Sequence, residues 1–106
     1  MSALHTRHCR EQTERLSDEQ ATALLGELSD WHITDDSLQK LYKFKNYYAT
    51  MAFANLVAWV AHRENHHPDM HVSYNKCKVI YSTHSVGGLS ENDFICAARL
   101  DAALSE

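Results

Sequence analysis

The chain holds one proline, three glycines and three cysteines in 106 residues. So few helix breakers leave room for long uninterrupted elements, and Pro68 becomes a landmark. Cys9, Cys77 and Cys96 are odd in number and widely spaced, with no C-x-x-C pair, so they give no disulfide framework and no paired thiolate for a metal. No uninterrupted apolar stretch reaches the roughly 18 residues of a membrane span. The N-terminus is polar by His5 and lacks the apolar region of a secretory signal. Positive charge is not in excess: 10 Lys and Arg face 14 Asp and Glu, a formal charge of −4 with histidine neutral. Nothing therefore favours direct contact with nucleic acid or with an anionic membrane. G-x-S-x-G, a phosphate loop and a Rossmann fingerprint are all missing. These absences together predict a reduced, cytoplasmic protein.

What is present is histidine. Three of the eight histidines and the only proline fall within His62-Arg63-Glu64-Asn65-His66-His67-Pro68. Proline disfavours helical geometry in the residue before it, so a helix arriving from upstream should end near His66, with His67 turning out of it. Adjacent histidines with different backbone geometry can then enter one pocket from two directions. The length indicates one domain, and 44% apolar with 23% charged residues is ordinary for a globular core.

Residues 1–16 are polar and without apolar periodicity, and are expected to form a flexible N-terminal tail. A single domain is expected over residues 17–106. Ser17-Asp18-Glu19-Gln20 has capping-box spacing, followed by Ala21, Leu24, Leu25 and Leu28 at helical intervals. Trp31 to Thr34 and Leu38 to Lys45 read as strands around the turn Asp35-Asp36-Ser37. Asn46 is an N-cap for a second helix. That helix carries a stripe of Tyr48, Met51, Ala52, Leu56, Trp59 and Val60, broadened by Phe53 and Val57. Trp59 is expected in the core. Met70, Val72 and Tyr74, then Cys77, Val79, Tyr81 and Thr83, alternate as two more strands. A turn at Asn75-Lys76 would pair Tyr74 with Cys77 and set His67 opposite His84. Ser90 caps a last helix, with Asp93 at N3. The expected fold class is α+β in the order α-β-β-α-β-β-α, a four-stranded antiparallel sheet with helices packed on one face.

His62 and His66 stand four apart and would share a helix face, a familiar zinc half-site. Their spacing nevertheless matches neither H-E-x-x-H nor H-x-x-E-H, so no metal ligand is assigned and zinc stays an alternative. Histidine acid/base chemistry remains, because imidazole can take or give a proton near neutral pH. The strand register favours a site shared by His67 and His84. Capping alone accounts for Asp93, although its carboxylate could also orient a histidine.

The set His62-x-x-x-His66-His67-Pro68, Tyr74-Asn75-Lys76, Ser82-Thr83-His84 and Gly88-Leu89-Ser90-Glu91-x-Asp93 resembles the pterin-4a-carbinolamine dehydratase family. The likeness spans roughly residues 17–104. It departs at His62, where the family is often acidic, and in Asp69 to Ser73, which lack the family's aromatic. The resemblance implies loss of water from 4a-hydroxytetrahydropterin to give quinonoid dihydropterin, recycling the pterin cofactor of aromatic amino acid hydroxylation. It further implies His66 and His84 as acid/base residues, His67 in catalysis and pterin orientation, and Asp93 in support. His62, Ser82 and Thr83 would contact the substrate. No cofactor beyond the pterin substrate is implied. A homo-oligomer, dimer or tetramer, is expected, and some family members also serve as dimerisation partners of a transcription factor. A non-catalytic interaction module is therefore the second reading.

Overall fold

The structure, a computed structural model, describes residues 3–105. Residues 1, 2 and 106, at the outer ends of the expected tail and domain, lie outside the described residues. The elements run α1 (Asp18–Leu25), β1 (His32–Thr34), β2 (Ser37–Lys43), α2 (Tyr47–Glu64), β3 (Asp69–Val72), β4 (Lys76–Tyr81) and α3 (Glu91–Leu104). The strands form one antiparallel sheet in the order β1-β2-β4-β3. This is the expected α+β architecture. Among the described residues, no helix is long and apolar enough to cross a membrane.

Local chemistry sets the helix starts. Ser17 Oγ accepts from Gln20 N–H at 3.1 Å while Gln20 Oε1 accepts from Ser17 N–H at 2.9 Å, a complete capping box. Asn46 Oδ1 accepts from Ala49 N–H at 2.9 Å. The β1–β2 turn places Asp35 and Asp36 at φ 51° and 58°. Two successive left-handed residues are what a two-residue hairpin of matching twist requires, and Asp tolerates that region better than most side chains.

One sheet face carries the core. Leu38 pairs with Tyr81 and Tyr42 with Cys77. These four are buried with Val79, against Phe53, Val57 and Val60 of α2 and Phe94, Ala97 and Leu100 of α3. Trp31, Tyr42 and Lys40 also converge on Asp101 near the end of α3. Trp31 Nε1 donates to its carboxylate at 2.7 Å, the Tyr42 hydroxyl at 2.5 Å and Lys40 Nζ at 3.3 Å. Burial first, and this carboxylate second, push the Tyr42 phenol far above its usual range.

Three expectations need correction. The register of β3 on β4 is Met70 opposite Val79 and Val72 opposite Cys77, two residues from the expected pairing. An even shift keeps every side chain on its own face, so alternation could not distinguish the two. The loop is Tyr74-Asn75, closed by Ser73 N–H to Lys76 O at 2.9 Å. Tertiary contacts hold it: Thr50 Oγ1 donates to Tyr74 O at 3.0 Å and Phe44 N–H to Asn75 O at 2.8 Å. Next, α2 ends at Glu64 rather than His66. Asn65 takes the left-handed conformation, φ 52°, and His66 N–H bonds back to Ala61 O at 3.1 Å. Finally, Trp59 is 53% exposed with Arg63 stacked over it at 5.0 Å, because Phe53, Val57 and Val60 take the inward face.

The segment expected to be a flexible tail lies in this structure as a strap across α2 and α3. Leu4 is buried at 2% exposure. Polar side chains hold the strap's backbone, which is why no periodicity announced it. Glu64 Oε1 accepts from Cys9 N–H at 2.7 Å, and the Asn92 amide pairs with both Arg10 N–H and Arg10 O. Arg99 Nε donates to Arg7 O at 2.6 Å.

Glu64, its side chain only 2% exposed, also meets His8 at 3.2 Å and Arg99 at 3.5 Å. Burial raises its carboxyl, but the Cys9 N–H, His8 and Arg99 outweigh burial and hold it below the usual carboxylate range. A folded value below the unfolded one gives stabilisation that is full above the unfolded value and disappears as pH falls through the folded one. Glu64→Gln should therefore lower the thermal midpoint at pH 7, with the difference from the parent vanishing well below about pH 4. An equal deficit at both pH values would contradict this account.

Candidate active site

The turn at Asn65 sends His66 inward and His67 outward. His66 Nε2 lies 2.6 Å from Asp93 Oδ1, and the two side chains are 13% and 0% exposed. The imidazole lies nearly parallel to the Tyr81 ring, at 10° with centroids 6.1 Å apart. Burial, chiefly, pushes the Tyr81 phenol well above its usual range, so Tyr81 supports the imidazole as a platform rather than as an acid.

Asp93 uses both oxygens. While Oδ1 faces His66, Oδ2 accepts from Ser90 N–H at 3.0 Å and Thr83 Oγ1 at 2.8 Å. The Thr83 and Ser90 hydroxyls are 2.7 Å apart. Capping and histidine orientation thus coexist in one carboxylate, where the sequence reading favoured capping. Thr83, 7% exposed, spends its hydroxyl inside this network.

His84 begins a single 3-10 turn, His84–Val86, that follows β4. Gly87 closes it with φ 68°, bonding its N–H to His84 O at 3.1 Å, a geometry that costs glycine least. Thr83 N–H to Gly88 O at 2.8 Å ties the far side. His67 and His84 are both exposed. They meet His66, Asn65, Ser82, Thr83 and Ser85 around a cleft of about 180 Å³. A second hollow of about 200 Å³ lies across the Ser82–His84 wall, bounded by Asp35, Asp36 and Ser37. The expected strand pairing of His67 with His84 is absent, since the ladder ends at Asp69 opposite Ile80, yet both reach one cleft.

His62 is the exception. It is exposed on the last turn of α2 and does not line the cleft. The left-handed Asn65 breaks the helix between His62 and His66, so the i, i+4 face on which a zinc half-site would rest is not formed. Among the described residues, no group of three or more His, Cys, Asp or Glu stands ready to hold a metal ion. Tyr81, Asn65 and Ser90 are site-forming residues not singled out for that role from the sequence. Asn directly before the histidine pair, as a left-handed cap, is the signal that could have found one of them.

Residues 14–103 match the family model described as pterin 4 alpha carbinolamine dehydratase. The chain belongs to this family. A relative from Nitrosospira multiformis is 58% identical over 86 residues, 81% of this chain and 76% of its own. One from Legionella pneumophila (strain Corby) is 45% identical over 107 residues, 98% of this chain and 95% of its own. Both carry, provisionally, the name pterin-4-alpha-carbinolamine dehydratase. A crystal structure titled transcriptional coactivator/pterin dehydratase, from Brucella melitensis, superposes with a TM-score of 0.80 at 28% identity. It covers 84% of this chain and 97% of its own. The family that the sequence resembled is thus the one these relatives share.

Proposed function

We propose that this chain is a hydro-lyase that converts 4a-hydroxytetrahydropterin to quinonoid dihydropterin and water, returning the pterin to use in aromatic amino acid hydroxylation. The observation that carries the proposal is the Asp93–His66 pair at the wall of a cleft shared with His67 and His84, in a chain of this family. The C4a hydroxyl leaves as water once an acid protonates it. The N5 lone pair drives it out, and a base removes the N5 proton. His66 and His84 serve as this acid/base pair. With Asp93 as a carboxylate, which only accepts, the hydrogen between them sits on His66 Nε2 and leaves Nδ1 to exchange a proton. His67 orients the pterin, and Ser82, which lines the same cleft, adds a contact. Thr83 acts through Asp93 rather than on the substrate.

A dehydration assay on synthetic 4a-hydroxytetrahydropterin tests the proposal. The purified chain should accelerate the reaction, and should do so after exhaustive chelation, because the N5 lone pair supplies the push. Activity lost to chelator and restored by zinc would favour a metal mechanism. No activity together with no pterin binding would favour the interaction module.

The proposal extends to a homo-oligomer working in the reducing cytoplasm. Tyr48 and Trp59 on the outer face of α2 are 83% and 53% exposed, apolar surface that a second copy would cover. Light scattering at micromolar concentration should give more than the monomer mass, and a monomer alone would contradict it.

A further inference from the structure

Cys9 and Cys96 stand 87 positions apart in the chain, yet their sulfurs lie 3.4 Å apart. Cys96 is fully buried on α3, three residues beyond Asp93, with its sulfur 3.8 Å from the His66 carbonyl oxygen. Cys9 is only partly buried, on the irregular strap, with its sulfur 3.6 Å from Asn92 O. Their settings differ in the way a reactive thiol and its resolving partner differ: Cys9 is partly reachable from solvent, and Cys96 is shielded on a helix. Cys77, the third cysteine, is buried in β4.

We propose that Cys9 and Cys96 are a peroxide-responsive thiol pair that closes into an intrachain disulfide, fastening the strap to the helix that carries Asp93. The Cys9 thiolate attacks hydrogen peroxide and breaks the O–O bond. Sulfur keeps one oxygen as a sulfenic acid, and the other leaves as water after taking up a proton. The Cys96 sulfur then attacks the Cys9 sulfur. The S–S bond forms, the S–O bond breaks, and the oxygen leaves as a second water with the Cys96 proton. In sum, two thiols and one peroxide give one disulfide and two waters, with two electrons passing from sulfur to peroxide.

The hydrogen bond to Cys9, and burial after it, raise the Cys96 thiol far above its usual range, which keeps Cys96 from reacting first. A disulfide needs the sulfurs at about 2.05 Å, so the strap must bring Cys9 roughly 1.4 Å closer. Cys9 sits outside any helix or strand with its N–H held by Glu64 Oε1 at 2.7 Å, so the shift falls mainly to its side chain.

The test is intact-mass analysis of the native chain after a few molar equivalents of hydrogen peroxide. The expected result is a loss of about 2 Da, reversed by dithiothreitol, with a non-reduced peptide map joining Cys9 to Cys96. Because the cross-link closes an 87-residue span, the oxidised chain should melt at least about 10 °C higher than the reduced one. Cys9→Ser should show no such mass loss. Oxygen added at Cys9 without a cross-link, a Cys9–Cys9 dimer, unreacted thiols, or mass loss persisting in Cys9→Ser would each overturn the proposal.

Discussion

Replacing His84 by alanine should lower turnover of 4a-hydroxytetrahydropterin by about 10²–10⁴-fold, the range for losing a placed acid or base. His84 is exposed at the start of the 3-10 turn, so its removal touches no core contact and the melting temperature should stay within a few degrees. His66 should show a comparable loss in turnover but needs a second control. Its ring rests on Tyr81 and partners buried Asp93, so alanine there leaves a carboxylate oxygen under-satisfied, at about 1–3 kcal/mol. His66→Gln keeps a donor for Asp93 while removing the titrating ring, and should be inactive yet better folded than the alanine variant. His67→Ala should mainly raise KM, as expected for lost orientation. Measured kcat and KM for the four variants check this assignment. Full activity in His84→Ala would remove His84 from the mechanism.

The architecture was legible because its signals are local. The caps at Ser17 and Asn46 are decided within four residues of sequence, and the structure reproduces both. The histidine cluster stood out in sequence because three histidines crowd beside the only proline, although the chain turns at Asn65 and not at Pro68. What escaped depended on distant groups. The two-residue slip of β3 is invisible to alternation and is decided by Thr50 and Phe44, which hold the Tyr74-Asn75 loop. The inward face of α2 was misread at Trp59 because apolar residues ring the helix. Periodicity cannot choose between a face that meets the sheet and one open to solvent. The strap escaped because Glu64, Asn92 and Arg99 hold its backbone, and those residues look like ordinary surface polar positions in sequence. His62 entered the expected site through the family resemblance, and it stands outside the cleft; the i, i+4 face it would share with His66 is lost once Asn65 leaves the helix.

Asp93→Asn should lower kcat by at least about 10²-fold while costing only ~1 kcal/mol of stability, a split that capping alone does not produce. The carboxylate has two tasks and one charge. The amide oxygen of asparagine can still accept from Ser90 N–H and Thr83 Oγ1, preserving the start of α3. Its amide nitrogen then faces His66 Nε2 across the former 2.6 Å contact. An NH2 group donates, so Nε2 must accept and the ring proton moves to Nδ1, the reverse of what the carboxylate imposes. The imidazole stays in place in the wrong tautomer, which removes proton transfer without removing the ring. Thr83→Val provides the contrast. It deletes one donor to Oδ2 but leaves Oδ1 on His66, so it should cost about 1–2 kcal/mol with a much smaller fall in kcat. Steady-state kinetics and thermal melts on the two variants decide the matter. Unchanged turnover in Asp93→Asn would mean that the carboxylate only caps α3. A parallel loss of activity and stability in both variants would mean that the network holds the cleft together without directing the proton on His66.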